Sequence, residues 1–292
     1  VYRIAHISDL HLSADYKDAE KSFRSLLQKI ADEKCNHIVI TGDLINKPLI
    51  SNYEFVKQIF KDANIYSRDK LTIIPGNHEI FGGADKKNGK RYRFPYECKR
   101  RDYNLALSIF HKSFKDILPD NFDGEYPFLK GVNDNIALIG MNSTMQWDNN
   151  LNPIGSNGQV NDTQKTRLAN MNGELRKYKN KIALIHHHFH FEAPEYADEV
   201  HKEWLYSERF TMQLHNRNTV LNLFKAAEIN CALHGHTHFT DEYIIDGMTF
   251  YNSSGCFLPF TDDRKKYFYI FDFDDGSDFI AVKHYLKDEY GN

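Results

Sequence analysis

The chain has 292 residues, with 37 Lys and Arg against 40 Asp and Glu, a formal net charge of −3 and 41% hydrophobic residues. With a mean hydropathy of −0.60, the chain reads as soluble and globular with no global charge that advertises nucleic acid or a membrane, and apolar runs such as IALIG (136–140) are far too short to cross a bilayer. The length allows a sizeable core in one large domain or two modest ones.

Residues 2–8, YRIAHIS, read as a buried strand that stops at Asp9. Residues 18–33 follow as a helix, with Phe23, Leu26, Leu27 and Ile30 at helical spacing. HIVITGD (37–43) predicts a second strand, 51–62 a second helix and LTIIPGN (71–77) a third strand. Asp9, Asp43 and Asn77 close these strands at equal steps of 34 residues. Each step is one βαβ unit, so the three polar groups should line one edge of a parallel sheet, where α/β ligands bind.

The repeat then breaks. Residues 81–125 hold a basic loop and a predicted helix at 102–117; NIALIGMNS (135–143) and KIALIHH (181–187) resume strands, with a helix-like 161–178 between them. Residues 189–216 are aromatic and charged without periodicity. A helix at 217–228 leads into INCALHGH, and MTFYNSS, KYFYIFDFD and FIAVKHYL read as closing strands. No Ser/Gly-rich linker divides the chain. One α/β domain is expected over 1–292, with insertions at about 81–125 and 189–216; the residues alone suggest a doubly wound sheet.

The strand exits carry the chemistry: Asp9 and His11, Asp43, Asn77 and His78, His186, and His236 and His238. Carboxylates, an amide oxygen and imidazoles suit Mn, Fe, Zn or Co better than Ca. They are too many for one ion and fit two, since a carboxylate shared by two cations holds them about 3.5–4 Å apart for in-line displacement at phosphorus.

In that order D-x-H, G-D, G-N-H-E, a His ending a strand, and G-H-x-H closely resemble the calcineurin-like metallophosphoesterase family over about residues 2–255. The resemblance implies a four-layer αββα sandwich with two mixed β-sheets. It implies two metal ions (Mn, Fe or Zn), one on Asp9, His11, Asp43 and His238, the other on Asp43, Asn77, His186 and His236, with Asp43 bridging. His78 would sit beside the phosphate and donate to an oxygen or to the leaving group. In HHHFH, His186 aligns best because it directly follows the strand, and His187 is the second choice. One departure is Asn46, where many members read G-D-x-x-D.

The implied activity is hydrolysis of phosphate esters by a metal-bridging hydroxide. The compact core resembles the cyclic-nucleotide phosphodiesterase branch, so a phosphodiesterase on nucleotide-like substrates is the first reading. A phosphomonoesterase, protein phosphatases included, is the alternative, followed by a nuclease and by a non-catalytic scaffold. A scaffold would be expected to lose ligands, and here all are present.

Other residues keep two readings. His234 is a support for a ligand or a core histidine; His188 and His190 are cleft-wall or surface residues; His6 is assigned to packing. The basic segment 86–101 is a solvated face or a flap that steers phosphate or nucleic acid. The net charge and the lack of a DNA-binding module weigh against nucleic acid as a partner. Phe189, Phe191, Tyr196, Trp204 and Tyr206 pack a lid or wall a cleft. Cys35, Cys98, Cys231 and Cys256 are widely spaced with no C-x-x-C, as in thiols of a reducing, cytoplasmic setting. No membrane partner is expected.

Overall fold

The computed structural model describes residues 1–15, 17–83, 85–87, 90–92, 96–189, 211–238, 240–253, 267–274 and 279–285. The side chains of the basic segment through residue 96, residues 190–210 with His190, and Cys256 lie outside them. Cys35, Cys98 and Cys231 are free thiols. No helix among the described residues is long and apolar enough to cross a membrane.

The first repeat folds as its periodicity indicates, through β1 (Tyr2–Ile7), α1 (Lys17–Asp32), β2 (His37–Ile40), α2 (Ile50–Asp62) and β3 (Leu71–Ile73). β1 pairs parallel with β2 and β2 with β3. Two late strands, β12 (Tyr267–Phe273) and β13 (Ile280–Tyr285), extend this sheet antiparallel, in the order β13-β12-β1-β2-β3.

A doubly wound sheet would continue from β3. Instead β6 (Phe128–Asn133), β7 (Ile136–Gly140), β8 (Asn180–Leu184), β9 (Cys231–His234), β10 (Asp241–Ile245) and β11 (Met248–Asn252) form a second mixed sheet, β10-β11-β9-β8-β7-β6. Between β3 and β6 lie α3 (Asn77–Ile80), a hairpin of β4 (Asp85–Lys87) and β5 (Lys90–Tyr92), α4 (Tyr96–Arg100) and α5 (Tyr103–Phe114). The helix-like stretch at 161–178 is two short helices, α6 (Asp162–Asn170) and α7 (Asn172–Leu175), and α8 (Arg217–Ala226) precedes β9.

Three apolar layers make the sandwich. Ile4, Val39, Tyr269 and Phe271 of the first sheet pack against Leu138, Leu184, Leu233 and Tyr251 of the second. Ala5, Ile7, Ile38 and Ile40 face the other way, onto Phe23 of α1, Phe60 of α2 and Phe110 of α5. The second sheet meets Leu168 of α6 and Phe224 of α8 through Ile139, Ala183 and Ala232. Both faces of β2 are therefore buried, which is why HIVI reads as an unbroken apolar run rather than an alternation.

β6 escapes sequence recognition because Lys130 and Gly131 interrupt it. The Lys130 side chain is buried and donates to the carbonyls of Leu71 (2.8 Å) and Ile117 (3.1 Å). Phe271 lies at the centre of the inter-sheet layer, fully buried and edge-on to Tyr251 at 4.9 Å. Phe271→Ala should cost about 3–5 kcal/mol in urea unfolding; a loss below about 1 kcal/mol would mean that the layer collapses around the gap.

Candidate metal centre

The predicted site residues converge where the two sheets meet. The first sheet brings Asp9, His11 and Asp43 from the loops after β1 and β2, and Asn77 and His78 from the start of α3. The second brings His186 from the loop after β8, and His236 and His238 from the loop after β9. Asp9, His11, Asp43, His236 and His238 all have positive φ, between 46° and 78°. Residues other than glycine seldom take that conformation, and it clusters at functional sites because neighbouring structure must hold it. The exits of β1, β2 and β9 turn sharply here, which aims those side chains back into the junction.

Gly42 (φ +98°) and Gly235 supply close approaches. A Cβ on Gly42 would meet His186 Nδ1 at 2.6 Å, and one on Gly235 would strike Ser8 and the Asp9 carboxylate. Pairing continues past the strand ends, with His11 N–H donating to Asp43 O at 2.9 Å.

Two groups of donor atoms result, each within 4.8 Å: Asp9, His11, Asp43 and His238, and Asp43, His186 and His236. Asp43 belongs to both. In the first, His11 Nε2 lies 3.0 Å from His238 Nε2 and 3.9 Å from Asp43 Oδ2, and His238 Nε2 lies 3.7 Å from Asp9 Oδ1. In the second, His186 Nε2 is 3.1 Å from Asn77 Oδ1, 3.1 Å from His236 Nδ1 and 3.5 Å from Asp43 Oδ1. The predicted Asn77 thus joins the second group through its amide oxygen.

The ring of His186 donates from Nδ1 to the Thr41 carbonyl at 2.8 Å. That bond directs Nε2, the nitrogen that a cation would use, toward the other donors. Carboxylate, amide oxygen and imidazole nitrogens gathered in this way fit divalent or trivalent transition metals. The residues present fit a dinuclear centre.

Burial raises the Asp9 carboxyl to about 7, against the pull of His186. Burial works the same way on Asp43, but the His78 and His186 imidazoles outweigh it and hold that carboxyl well below its ordinary range. Burial would lower His186; its ion pair and hydrogen bond with Asp43 prevail and raise it to about 9. His236 is held well below its ordinary value, first by burial.

His78 stands at the rim. Its backbone N–H donates to Asp43 Oδ1 at 2.7 Å, its Nε2 lies 3.7 Å from Asp43 Oδ2, and its Nδ1 meets His11 Nδ1 at 3.1 Å. Its side chain is 13% exposed and that of His238 26%, whereas Asp43 and His186 lie at 1% and 0%. The cluster therefore opens on the His78 and His238 side. Asn46 sits close by, since a Cβ on Gly83 would run into both the Asn46 amide oxygen and the His78 ring.

Sequence reading passed over Glu79. This fully buried carboxylate accepts N–H bonds from Asp43 (2.9 Å), Gly76 (2.7 Å) and Ile45 (3.1 Å), tying the exits of β2 and β3 together. Burial and the charge of Asp43 push it up to about 8 against those donors. Its signal was available, because an acid three residues after the Gly76 N-cap is placed to reach back to the cap N–H. His187, the second choice for a ligand, hydrogen-bonds Ser143 Oγ (2.7 Å) and Ser156 O (3.2 Å) and belongs to neither donor group. His188 is buried rather than on the surface. His6 does more than pack, as its Nε2 meets Thr41 Oγ1 at 2.9 Å.

Residues 2–239 match the family model for calcineurin-like phosphoesterases. The chain belongs to that family, whose activity is metal-dependent hydrolysis of phosphate esters. A protein of Acanthamoeba polyphaga mimivirus is 26% identical over 273 residues, 84% of this chain and 88% of that one. A Fibrobacter succinogenes protein named as a probable cyclic nucleotide phosphodiesterase is 30% identical over 105 residues, 32% of this chain and 40% of its own length. The structure of a dimetal phosphatase from Danio rerio has a TM-score of 0.64 at 12% identity, covering 97% of this chain and 96% of that one. At that identity the likeness establishes the shared fold.

A proton on His186 up to about pH 9 and on Asp9 up to about pH 7 has to leave before a cation can be ligated there. Metal uptake by the metal-free chain at pH 7 should release protons, and affinity should fall as pH drops below 9, about tenfold per unit for each proton displaced. Calorimetry in two buffers of different ionisation enthalpy counts the protons. Uptake without proton release between pH 6 and 9 would mean that Asp9 and His186 are already deprotonated in the metal-free chain, and would overturn the raised values.

Proposed function

We propose that the chain is a dinuclear phosphodiesterase acting on nucleotide-like substrates. One observation carries the dinuclear reading: Asp43 is common to two groups of donor atoms. Asp9, His11, Asp43 and His238 would hold one cation, and Asp43, Asn77, His186 and His236 the other. Manganese, iron or zinc suits such donors. When bound, two such cations supply Lewis acidity at the phosphoryl oxygens and a water acidified to near neutral pH.

The chain's own residues supply the rest. His186 is oriented by Thr41, and His236 by its backbone N–H bonds to both oxygens of Asp9, at 3.0 and 2.9 Å. Asp43 holds the His78 backbone at 2.7 Å, which fixes the root of that side chain. The substrate enters from the exposed side, where His78 meets the ester, and its ring donates a proton to the departing oxygen. The local identity to the Fibrobacter protein named for cyclic nucleotides supports the diester preference.

His78→Gln should leave metal content unchanged and slow turnover by about 10²–10⁴, most of all for poor leaving groups. A slowing independent of leaving-group pKa would exclude His78 as the acid. The class of substrate is tested by stripping the protein, reloading it with Mn and comparing a chromogenic diester with the matching monoester. Faster diester hydrolysis is expected, and a monoester preference would replace the phosphodiesterase with a phosphomonoesterase.

A further inference from the structure

We propose that Tyr243 is a positioning residue for the metal centre, acting through His234 on the peptide that joins Gly235 to His236. The proposal rests on the dinuclear reading above. It also resolves His234, which sequence reasoning leaves between ligand support and core packing.

The hydroxyl of Tyr243, on β10, bonds in two directions. It accepts the Phe189 N–H at 3.1 Å and donates to His234 Nε2 at 2.8 Å. The Gly235 carbonyl can only accept, so the His234 nitrogen that faces it, Nδ1, carries the proton of the neutral ring and Nε2 is left to accept from Tyr243. Nδ1 faces the Gly235 carbonyl at 3.3 Å and donates to it. At the other end of the same peptide, the His236 N–H donates to both oxygens of Asp9. The plane of that peptide is thereby held at its carbonyl by His234 and at its N–H by a carboxylate of the first donor group.

That hold matters because His236 has φ +78°, a conformation its own side chain disfavours. A peptide free to rotate would release the strain, swing His236 Nδ1 away from His186 Nε2 and take the N–H off Asp9. The opposing segment is fixed by the same device. Gly235 N–H donates to His186 O at 3.1 Å, and Tyr243 takes up Phe189 N–H three residues later. The hydroxyl thus sits where the β8 exit, which carries His186, meets the β9 exit, which carries His236 and His238.

Ring and hydroxyl of Tyr243 have separable roles. The ring stacks on Phe250 with centroids 5.1 Å apart and planes within 3°. Tyr243→Phe keeps that stack and removes only the hydroxyl. Outer partners of ligand residues typically control 10–100-fold in metal affinity, so the variant should lose Mn²⁺ to a chelator about 10–100-fold more readily than the parent. The melting temperature of the metal-free chain should stay within about two degrees.

The experiment loads the 292-residue parent, Tyr243→Phe, His234→Asn and His234→Leu with Mn²⁺, challenges each with a chelator and measures Mn retained per chain, with melting curves of each metal-free protein. His234→Asn keeps a donor near the position of Nδ1 and should retain more Mn than His234→Leu. Parent-like retention by Tyr243→Phe overturns the proposal. So does a loss of retention matched by an equal loss of metal-free stability, which would make the hydroxyl merely structural, or an Asn variant no better than the Leu variant. A parent chain that takes up no Mn²⁺ fails at an earlier step and overturns the dinuclear reading as well.

Discussion

The carboxylate of Asp43 is 1% exposed and is shared by two sets of potential donor atoms, and most of the surrounding structure serves to keep it there. An isolated buried carboxylate is costly and would protonate. Here imidazoles on two sides hold it ionised, while its own backbone N–H is gripped by Glu79. Two buried acids side by side would repel each other. Cations held between the donor groups would relieve that repulsion, which would tie the local folding problem to cation binding.

From this centre outward the fold follows as support. The αβ repeat places three polar exits along one edge of the first sheet, and β8 and β9 place the remaining imidazoles along the facing edge of the second. Backbone rather than side-chain choice does much of the aiming. The left-handed turns at Asp9, His11, Asp43, His236 and His238 are stabilised by cross-loop N–H bonds, by close glycine contacts and by Glu79.

What sequence could disclose follows from where information is local. Polar residues that end apolar runs in a family order mark Asp9, His11, Asp43, Asn77, His78, His186, His236 and His238, with Asp9, Asp43 and Asn77 at equal spacing, and the structure brings these together. Periodicity reveals β1 to β3 because their runs are continuous, and it misses β6 and β10. β6 buries a lysine whose partners are backbone carbonyls from distant elements, and β10 is an edge strand with mostly exposed residues. The second sheet is invisible to periodicity, since pairing between strands far apart in sequence leaves no local trace. Sequence prefers His186 to His187 because it directly follows the strand, whereas the contacts that set the two apart, with Thr41 and Ser143, are ones only the fold creates.

Neither donor group belongs to one sheet. His238 completes a set otherwise drawn from the first sheet, and Asp43 with Asn77, both from the first sheet, completes one otherwise drawn from the second. Cations held there would act as rivets across the seam of the sandwich, adding to the inter-sheet apolar layer from its open end. Occupancy at about a hundred times the dissociation constant is worth about 2.7 kcal/mol to the folded state, a sizeable share of what keeps an ordinary domain folded. A descendant that abandoned the chemistry and its ligands would part with these rivets too, and would have to recover their strength in the apolar seam below.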